Sequence, residues 1–292
     1  MKALDGHKGR LAGAAGGASP GMAASGAGGR QGAGGLAGAA AQGAIGGFAA
    51  ALAQKAIDLM FPPSIYCISC GNLIDATRPY SLCDACVREF KWAVGRTCEK
   101  CGRILGDGDA GTLCGACANS SHVYEKGYAC LEYGSCREVI HGFKYRGRAY
   151  YAESIAQIMH DRMLAAERDF DIILPTPMYK PKERKRGYNQ ADLAGRIFAG
   201  KMGVSYDARL LKRIRNTGPM SGLGGEAREE NIKGAFVVER GREGAIRGKR
   251  LLIVDDIYTT GSTMDACAKA LLDAGAGSVC FIVLAAGAAG AS

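Results

Sequence analysis

The chain has 292 residues, of which 48% are hydrophobic and 22% are charged, and its formal net charge is +9. These proportions are ordinary for a globular protein with one large domain or two modest ones, and they exclude a chain that is disordered throughout. The positive charge favours anionic partners, namely phosphorylated metabolites, nucleic acid or anionic lipid, without choosing among them. A solvated surface with additional lysine explains the charge equally well.

The first segment, residues 1–50, is a low-complexity run of glycine, alanine and serine. It buries too little apolar surface to offset the entropy lost on ordering, so it is predicted to be disordered. Gln31–Gln54 carries no charge, but glycine and alanine contribute little transfer energy and Gln42 interrupts the run, so no membrane span is expected. A short helix is predicted from Ala49 to Phe61, where two prolines follow that cannot continue it.

Eight of the twelve cysteines form four CxxC pairs within residues 58–120. The two thiolates of such a pair can meet one tetrahedral ion, and about twelve residues between pairs is typical of zinc ribbons. Because the segment has few long apolar runs, metal rather than a core would hold it together. The sequence therefore predicts a double zinc ribbon with two structural zinc sites, each made of four cysteines. The predicted ligands are Cys67, Cys70, Cys83, Cys86, Cys98, Cys101, Cys114 and Cys117.

Sequential pairing of these four CxxC pairs is the simplest arrangement, and interleaved pairing stays open. An iron–sulfur cluster and redox disulfides are the alternatives to zinc. No secretory signal is visible near Met1, and the spacing suits metal better than a disulfide framework, so a reducing, cytoplasmic location is expected. His122 is expected to be a surface residue rather than a spare ligand. Four cysteines without partners at ligand spacing are expected to be small buried hydrophobes: Cys130, Cys136, Cys267 and Cys280.

Residues 125–286 alternate between strand-like and helix-like segments. The predicted elements in chain order are a strand over 127–133, helices over Arg137–Tyr145 and Tyr151–Ala166, a strand ending at Pro175, a basic loop, a helix opening near Asn189, a loop or flap over 204–234, a buried strand ending at Asp256, a helix over Thr263–Ala274 and a strand ending at Ala286. This alternation predicts an α/β fold with a mostly parallel sheet flanked by helices.

Two adjacent carboxylates, Asp255 and Asp256, follow four apolar residues at the end of a predicted buried strand. The carboxyl ends of strands are where ligands bind in open α/β sheets. The hydroxyl-rich loop that follows leads into a helix N-terminus, which is a cradle for an anion. The loop residues are Thr259, Thr260, Gly261, Ser262 and Thr263. Acids beside a phosphate cradle suit a sugar phosphate, whereas a capped helix alone explains one acid and one threonine.

A dense basic segment precedes the predicted helix at Asn189, which is expected to cap that helix. Its side chains are suited to neutralising a pyrophosphate, and a solvated basic loop is the alternative. The pyrophosphate candidates are Lys182, Arg184, Lys185 and Arg186, with Lys180 beside them.

The stretch LLIVDDIYTTGSTMDACAKAL resembles the signature of type I phosphoribosyltransferases. Four blocks in order, FPPSIYCISCG, VIHGFKYRGR, ERKRGYNQADLA and VDDIYTTGST, resemble the ComF (GntX-like) family of competence-associated proteins over about residues 58–286. The resemblance implies that Asp255 and Asp256 hold the ribose hydroxyls of phosphoribosyl pyrophosphate (PRPP). It also implies that Thr259–Thr263 binds the 5′-phosphate and that Mg²⁺ arrives with the pyrophosphate.

At two positions the sequence departs from the patterns of these related families, and the departures bear on the expected substrate and on the flap. Thr259 stands where 6-oxopurine salvage enzymes carry an acid, which argues against purine salvage. In the flap, Met220 replaces a glutamine that is common in the family, while Thr217, Arg228 and Asn231 fit its pattern.

The segment VIHGFKYRGR is a candidate part of the site only because of the resemblance. By itself it reads as an ordinary amphipathic helix with a basic end. Its residues are His141, Lys144, Tyr145 and Arg146, and His141 is not assigned a catalytic role.

Two functions follow from these observations. The first is an enzyme that transfers the phosphoribosyl group of PRPP to an unknown acceptor, with no catalytic residue assigned. The second, implied by the family, is a non-catalytic module that senses PRPP or acts as a scaffold in DNA uptake. Its expected partner is a protein or single-stranded DNA of the competence machinery.

Overall fold

The computed structural model describes residues 65–109, 111–216 and 232–288. All of them belong to one compact unit, Ile57–Ser292. The low-complexity segment 1–50, the helix predicted from Ala49 to Phe61 and the flap positions Thr217, Met220, Arg228 and Asn231 lie outside the described residues. None of the helices in the described ranges combines the length and the apolar character that a bilayer crossing requires.

A five-stranded, fully parallel sheet forms the centre of the unit, with strand order β1-β7-β6-β2-β3. The strands are β1 (Gly127–Glu132), β2 (Ile172–Pro175), β3 (Ser205–Tyr206), β4 (Leu211–Arg213), β5 (Phe236–Val238), β6 (Arg250–Tyr258) and β7 (Ser278–Ala286), of which β4 and β5 form a separate antiparallel pair. The predicted α/β fold with a mostly parallel sheet is confirmed. β6 and β7 read as nearly continuous apolar runs because helices cover both faces of a parallel sheet.

Eight α-helices lie in the described residues. They are α1 (Asp84–Glu89), α2 (Gly115–Ala118), α3 (Tyr133–Tyr145), α4 (Tyr151–Leu164), α5 (Lys180–Arg186), α6 (Gln190–Met202), α7 (Glu243–Ile246) and α8 (Ser262–Asp273). The segment predicted as a basic loop is the helix α5, so that prediction was wrong. Lysine, arginine and glutamate are good helix formers, Pro181 is tolerated in the first turn, and Gly187 at φ 93° ends the helix.

The two cysteine-rich ribbons lie on opposite faces of the sheet. Side chains alternate along a strand. Accordingly, Leu252 and Val254 of β6 belong to one hydrophobic cluster, together with Cys67 and Cys86 of the first ribbon. Leu251 and Ile253 belong to the other cluster, together with the cysteines of the second ribbon. Each ribbon is therefore part of the core on its own side of the sheet.

The chain between the ribbons runs along the edge of the sheet. Ala93 donates a backbone hydrogen bond to Cys130 of β1 at 2.8 Å, and Glu132 of β1 donates to Lys91 at 2.9 Å. An unpaired edge strand would expose its hydrogen-bonding groups, and this segment covers those of β1. The two ribbons therefore lie on opposite faces of the sheet, and the segment that connects them passes along β1.

Gly102, in the second ribbon, packs against the backbone of β1. Its φ is +76°, and a Cβ added there would lie 2.5 Å from the carbonyl oxygen of Gly127 and 2.7 Å from the amide nitrogen of Ala129. Gly71 has the corresponding place in the first ribbon, with φ +78°, and a Cβ there would meet nothing within 4 Å. The two glycines share their backbone conformation and differ in the space around them.

We expect Gly102→Ala to destabilise the protein more than Gly71→Ala does. Both substitutions place alanine in the left-handed region, which costs about 1–2 kcal/mol. At Gly102 overpacking against β1 adds about 1–3 kcal/mol. Equilibrium unfolding in urea measures both losses, with Gly71→Ala as the matched control. Equal losses for the two variants would show that the contact with β1 contributes nothing.

Candidate functional site

The predicted acids lie at the boundary between β6 and β2. The chain leaves β2 towards β3 and leaves β6 towards β7, which are opposite directions in the sheet. Ligands of open α/β sheets bind at such reversals, beyond the carboxyl ends of the strands. β2 ends at Pro175, paired with Val254, whereas β6 continues to Tyr258 alongside β7. The predicted strand end at Asp256 is therefore two residues short, and both acids lie past the end of β2.

The two carboxylates have different partners. Oδ1 of Asp256 lies 2.8 Å from Nζ of Lys144, at the end of α3. Oδ1 of Asp255 accepts a hydrogen bond from the backbone N–H of Asp256 at 2.8 Å. A narrow gap between α3, α4, α6 and β6 reaches both acids, and it has no room for a water molecule.

The pKa of Asp255 is strongly raised. Burial, and then the negative charge of Asp256, raise the pKa of Asp255 from 3.8 to about 7, although the Asp256 N–H and Lys144 act in the opposite direction. Two carboxylates this close resist ionising together in a poorly solvated place. One proton is therefore retained at the pair well above the pH at which an exposed aspartate loses it.

We expect the stability conferred by this proton to fall as the pH rises from about 4 to about 7. In that window the folded Asp255 stays protonated while the unfolded one is ionised, so the folded state binds more protons. The contribution is at most about 4 kcal/mol. Urea unfolding of the wild type and Asp255→Asn across this window tests it, and the wild type should lose stability relative to the variant. A difference independent of pH would contradict the raised pKa.

The hydroxyl-rich loop forms the turn between β6 and α8. Gly261 has φ +90°, a conformation that favours glycine, and α8 begins at the next residue without a side-chain cap. The hydroxyls of Thr260 and Ser262 lie 3.0 Å apart, and Thr259 is exposed. N–H groups of a first helical turn have no partner within their helix. The loop and the helix start thus present donors at the same sheet edge as the acids.

Only some of the basic residues that were predicted to bind pyrophosphate lie near this edge of the sheet. The guanidinium of Arg186 lies 5.2 Å from the ring centre of Tyr145, which follows Lys144. Burial and then the charges of Arg213 and Arg186 lower the pKa of Lys182, so these three cations are close together. Burial lowers the pKa of Arg213, and the charge of Asp255 acts against this. The cations therefore extend from α5 towards the acids.

The other two candidates on α5, Arg184 and Lys185, are exposed. Within the described part of the chain neither forms a hydrogen bond or an ion pair with the acids or the loop. His141 is exposed as well, and its ring centre lies 5.0 Å from that of Tyr145. The pyrophosphate role of Arg184 and Lys185 stays a prediction.

Asn189 caps α6, as the sequence predicts. Its Oδ1 accepts from the N–H of Ala191 at 3.1 Å, and its Nδ2 donates to the carbonyl of Thr176 at 3.0 Å. Tyr188 and Gln190 both donate to the carbonyl oxygen of Phe143, one residue before Lys144. The segment after α5 therefore joins the ends of β2 and α3.

The eight predicted ligands form two tetrads, Cys67–Cys70–Cys83–Cys86 and Cys98–Cys101–Cys114–Cys117, and the sulfurs of each lie within 4.8 Å of one another. The CxxC pairs are thus grouped sequentially. The sulfurs of Cys70 and Cys83 are 3.7 Å apart, and those of Cys101 and Cys114 are 3.8 Å apart. A tetrahedron with zinc–sulfur bonds of about 2.3 Å has edges of about 3.8 Å. The donor sets therefore fit structural zinc, and all twelve cysteines are free of disulfides.

Comparison with known families assigns both parts of the chain. Residues 56–118 match the double zinc ribbon domain, and residues 205–292 match the phosphoribosyl transferase domain. The chain is 29% identical over 206 residues to "DNA utilization protein YhgH" of Salmonella typhi, covering 68% of this chain and 88% of that protein. It is 28% identical over 212 residues to "Competence protein F" of Haemophilus influenzae, covering 70% and 90%. The chain is thus similar to proteins of DNA utilization and competence, and it combines a double zinc ribbon domain with a phosphoribosyl transferase domain.

Solved structures with a similar fold are more distant from this chain. A glutamine phosphoribosylpyrophosphate amidotransferase from Bacillus subtilis matches with a TM-score of 0.33 and 20% identity, over 49% of this chain and 30% of that one. An adenine phosphoribosyltransferase matches with a TM-score of 0.30 and 20% identity, over 50% and 75%.

Several residues of the candidate site were missed by the sequence reasoning or given too little weight. Lys144 was a candidate only through the resemblance. Arg213 was not a candidate, because nothing in the sequence distinguishes a basic residue in a three-residue strand from other surface cations. Arg103, after the second ribbon's CxxC pair, donates to the carbonyl of Thr259 at 2.7 Å. The expectation that His122 is a surface residue was wrong, since its side chain is 5% exposed and pairs with Asp265.

Proposed function

We propose that this chain binds PRPP together with Mg²⁺ and transfers the phosphoribosyl group to an acceptor. The observation that carries the proposal is the carboxylate pair at the β6–β2 boundary, next to a hydroxyl-rich helix N-terminus. A ligand with a phosphate at one end and vicinal hydroxyls at the other satisfies both groups, because acids accept from hydroxyls while the loop donates to the phosphate.

Each part of PRPP has a candidate partner. Asp255 and Asp256 would accept hydrogen bonds from the ribose hydroxyls, and the loop Thr259–Thr263 would hold the 5′-phosphate. The cations of α5, Lys182, Arg184, Lys185 and Arg186, would face the pyrophosphate. Lys144 orients Asp256 through its 2.8 Å ion pair, which supports a fixed position for that carboxylate.

In the transfer itself an acceptor would attack the anomeric carbon of the ribose, and the bond to the pyrophosphate would break. Positive charge develops on the ribose in such a step, and negative charge grows on the leaving group. Mg²⁺ bound with the pyrophosphate would supply further charge neutralisation there. The residues of this chain contribute binding and orientation, with the neighbouring carboxylates stabilising the developing positive charge.

Calorimetry with PRPP and Mg²⁺ tests binding, and release of pyrophosphate with a panel of bases and amines tests turnover. Binding accompanied by release with one of these acceptors supports the transferase. The absence of PRPP binding at millimolar concentration would rule out the proposed ligand. Binding without release from any acceptor favours a module that senses PRPP.

A second candidate function is a scaffold for single-stranded DNA. The names of the relatives refer to DNA utilization and competence, and one surface of this chain has a suitable chemistry. Tyr145 is 65% exposed and Tyr150 is 59% exposed, and the guanidinium of Arg186 lies over the ring of Tyr145. Exposed aromatic rings among cations stack bases and attract the phosphate backbone.

Fluorescence anisotropy with a labelled oligothymidine tests the scaffold function. Tyr145→Ala should weaken DNA binding, with Tyr66→Ala as the control because Tyr66 is a similarly exposed tyrosine in the first ribbon (59%). The same loss for both variants would place the DNA elsewhere. Retained PRPP binding in Tyr145→Ala would separate the two functions.

A further inference from the structure

Arg103 connects the second cysteine tetrad to the hydroxyl-rich loop. Its backbone carbonyl accepts from the N–H of Cys98 at 2.8 Å. Its Nη2 donates to the carbonyl of Thr259 at 2.7 Å, and its guanidinium lies 5.5 Å from the ring centre of Tyr258. The residue is 5% exposed, and its Nε has no hydrogen-bond partner within the described residues. One buried cation thus contacts both the metal-binding turn and the first residue of the loop.

A buried guanidinium needs a compensating negative charge. A zinc ion with four thiolates has a net charge of −2, and Arg103 follows one of the proposed thiolates, Cys101, by two residues. Arg103 therefore joins the turn of the second tetrad to the Thr259 carbonyl through one hydrogen bond on each side.

His122 contacts the loop from the other end. Its Nδ1 lies 2.6 Å from Oδ2 of Asp265 in the first turn of α8, and the N–H of Val123 donates to Oδ1 of the same carboxylate at 2.9 Å. The His122 ring stacks on Tyr124 with centres 4.8 Å apart. A Cβ added at Gly261 would lie 2.9 Å from its Cε1. His122 thus packs directly against the turn that begins α8.

The first tetrad has no comparable connection. Cys67, Cys83 and Cys86 pack in the hydrophobic cluster on the opposite face of the sheet. Its polar links run to α4, where Tyr80 donates to Asp161 at 2.8 Å and Ser154 donates to Ser81 at 3.0 Å. Across the described ranges, no hydrogen bond or ion pair joins the first ribbon to the loop.

We propose that the second zinc ribbon, through Arg103 and His122, positions the loop Thr259–Thr263 for a phosphate, so that metal in this tetrad and phosphate on the loop strengthen each other's binding. The first tetrad takes no part in this coupling. Only the identity of the phosphate ligand rests on the proposed function; the positioning of the loop does not. Arg103 and His122 are positioning residues, since they hold backbone and helix rather than the ligand.

Hydrogen exchange of the ligand-free protein tests the positioning. In Arg103→Gln, amides of residues 257–266 should exchange about tenfold faster or more, because the charge-assisted hydrogen bond to the Thr259 carbonyl is lost. The matched control is Arg88→Gln, which removes the same charge from an exposed residue of α1 in the first ribbon. His122→Asn gives an independent variant that leaves the cysteine turn untouched. Exchange within twofold of the control in both variants would overturn the proposal.

Zinc release tests the coupling, because linkage between two sites is reciprocal. With a colorimetric chelator, PRPP and Mg²⁺ should slow the release of one of the two zinc ions by about fivefold or more, a factor typical of coupled sites. The other zinc ion should be unaffected, and Arg103→Gln should remove the effect. The coupling would be contradicted if PRPP slowed the release of both zinc ions equally. It would also be contradicted if PRPP bound but slowed the release of neither ion. If calorimetry detects no PRPP binding, the proposed function fails, while the exchange experiment still decides the positioning.

Discussion

Replacing both site acids with amides, Asp255→Asn with Asp256→Asn, should weaken PRPP binding by at least about 100-fold. Above the raised pKa of Asp255, which is about 7, each carboxylate is expected to accept a hydrogen bond from a ribose hydroxyl, and hydrogen bonds to charged groups contribute about 1.5–3 kcal/mol each. Losing two of them removes about 3–6 kcal/mol, which corresponds to a factor of about 100 to 10,000 in affinity. Calorimetry with PRPP and Mg²⁺ measures the loss.

The control for this experiment is Asp273→Asn. Asp273 is an exposed acid at the far end of α8, where it pairs only with Lys269 among the described residues. Its removal changes the charge without touching the site. The fold of the double variant is checked by urea unfolding. Unchanged affinity in a folded double variant would remove Asp255 and Asp256 from the site.

Lys144→Met separates the two roles of Asp256. If Asp256 serves mainly as the partner of Lys144, its loss and the loss of Lys144 should destabilise the protein alike and affect PRPP binding alike. If Asp256 accepts from the ribose, the Lys144 variant should retain more affinity than Asp256→Asn. The ratio of the two dissociation constants, measured side by side, distinguishes these cases.

Removal of both metals should abolish the cooperative unfolding of the described unit. Structural zinc contributes about 10–16 kcal/mol in zinc-finger peptides, which is as large as the whole stability of a typical domain. In this protein the effect is not confined to the ribbons, because three cysteines of the first tetrad and all four of the second pack in the core cluster on their face of the sheet. Loss of metal therefore loosens the packing on both faces.

Thermal unfolding followed by circular dichroism, with and without a strong chelator, measures this effect. Elemental analysis of the untreated protein should find two zinc ions per chain and no iron. The chelated sample should lose its sharp transition, and zinc added back should restore it. A sharp transition that survives complete zinc removal would show that the apolar packing is sufficient without the metal.

The tetrads and the class of the fold follow from the sequence because both depend on local patterns. Two cysteines separated by two residues can bind one ion wherever the chain places them, so the ligand set was evident from spacing alone. The alternation of apolar strands with helices indicates a parallel sheet without any knowledge of strand order. The strand over Ser278–Ala286 was predicted to the residue at its carboxyl end for this reason.

Contacts between distant segments were decided only by the tertiary structure. Lys144 meets Asp256, and Arg103 meets Thr259, across more than one hundred residues of sequence. A periodic pattern shows which face of an element is buried, but it does not show which element covers that face. The basic segment before Asn189 was mistaken for a loop because a short helix without buried residues leaves no apolar period to detect. Strand order and the packing of the second ribbon on the sheet bring the loop, the acids and Arg103 together.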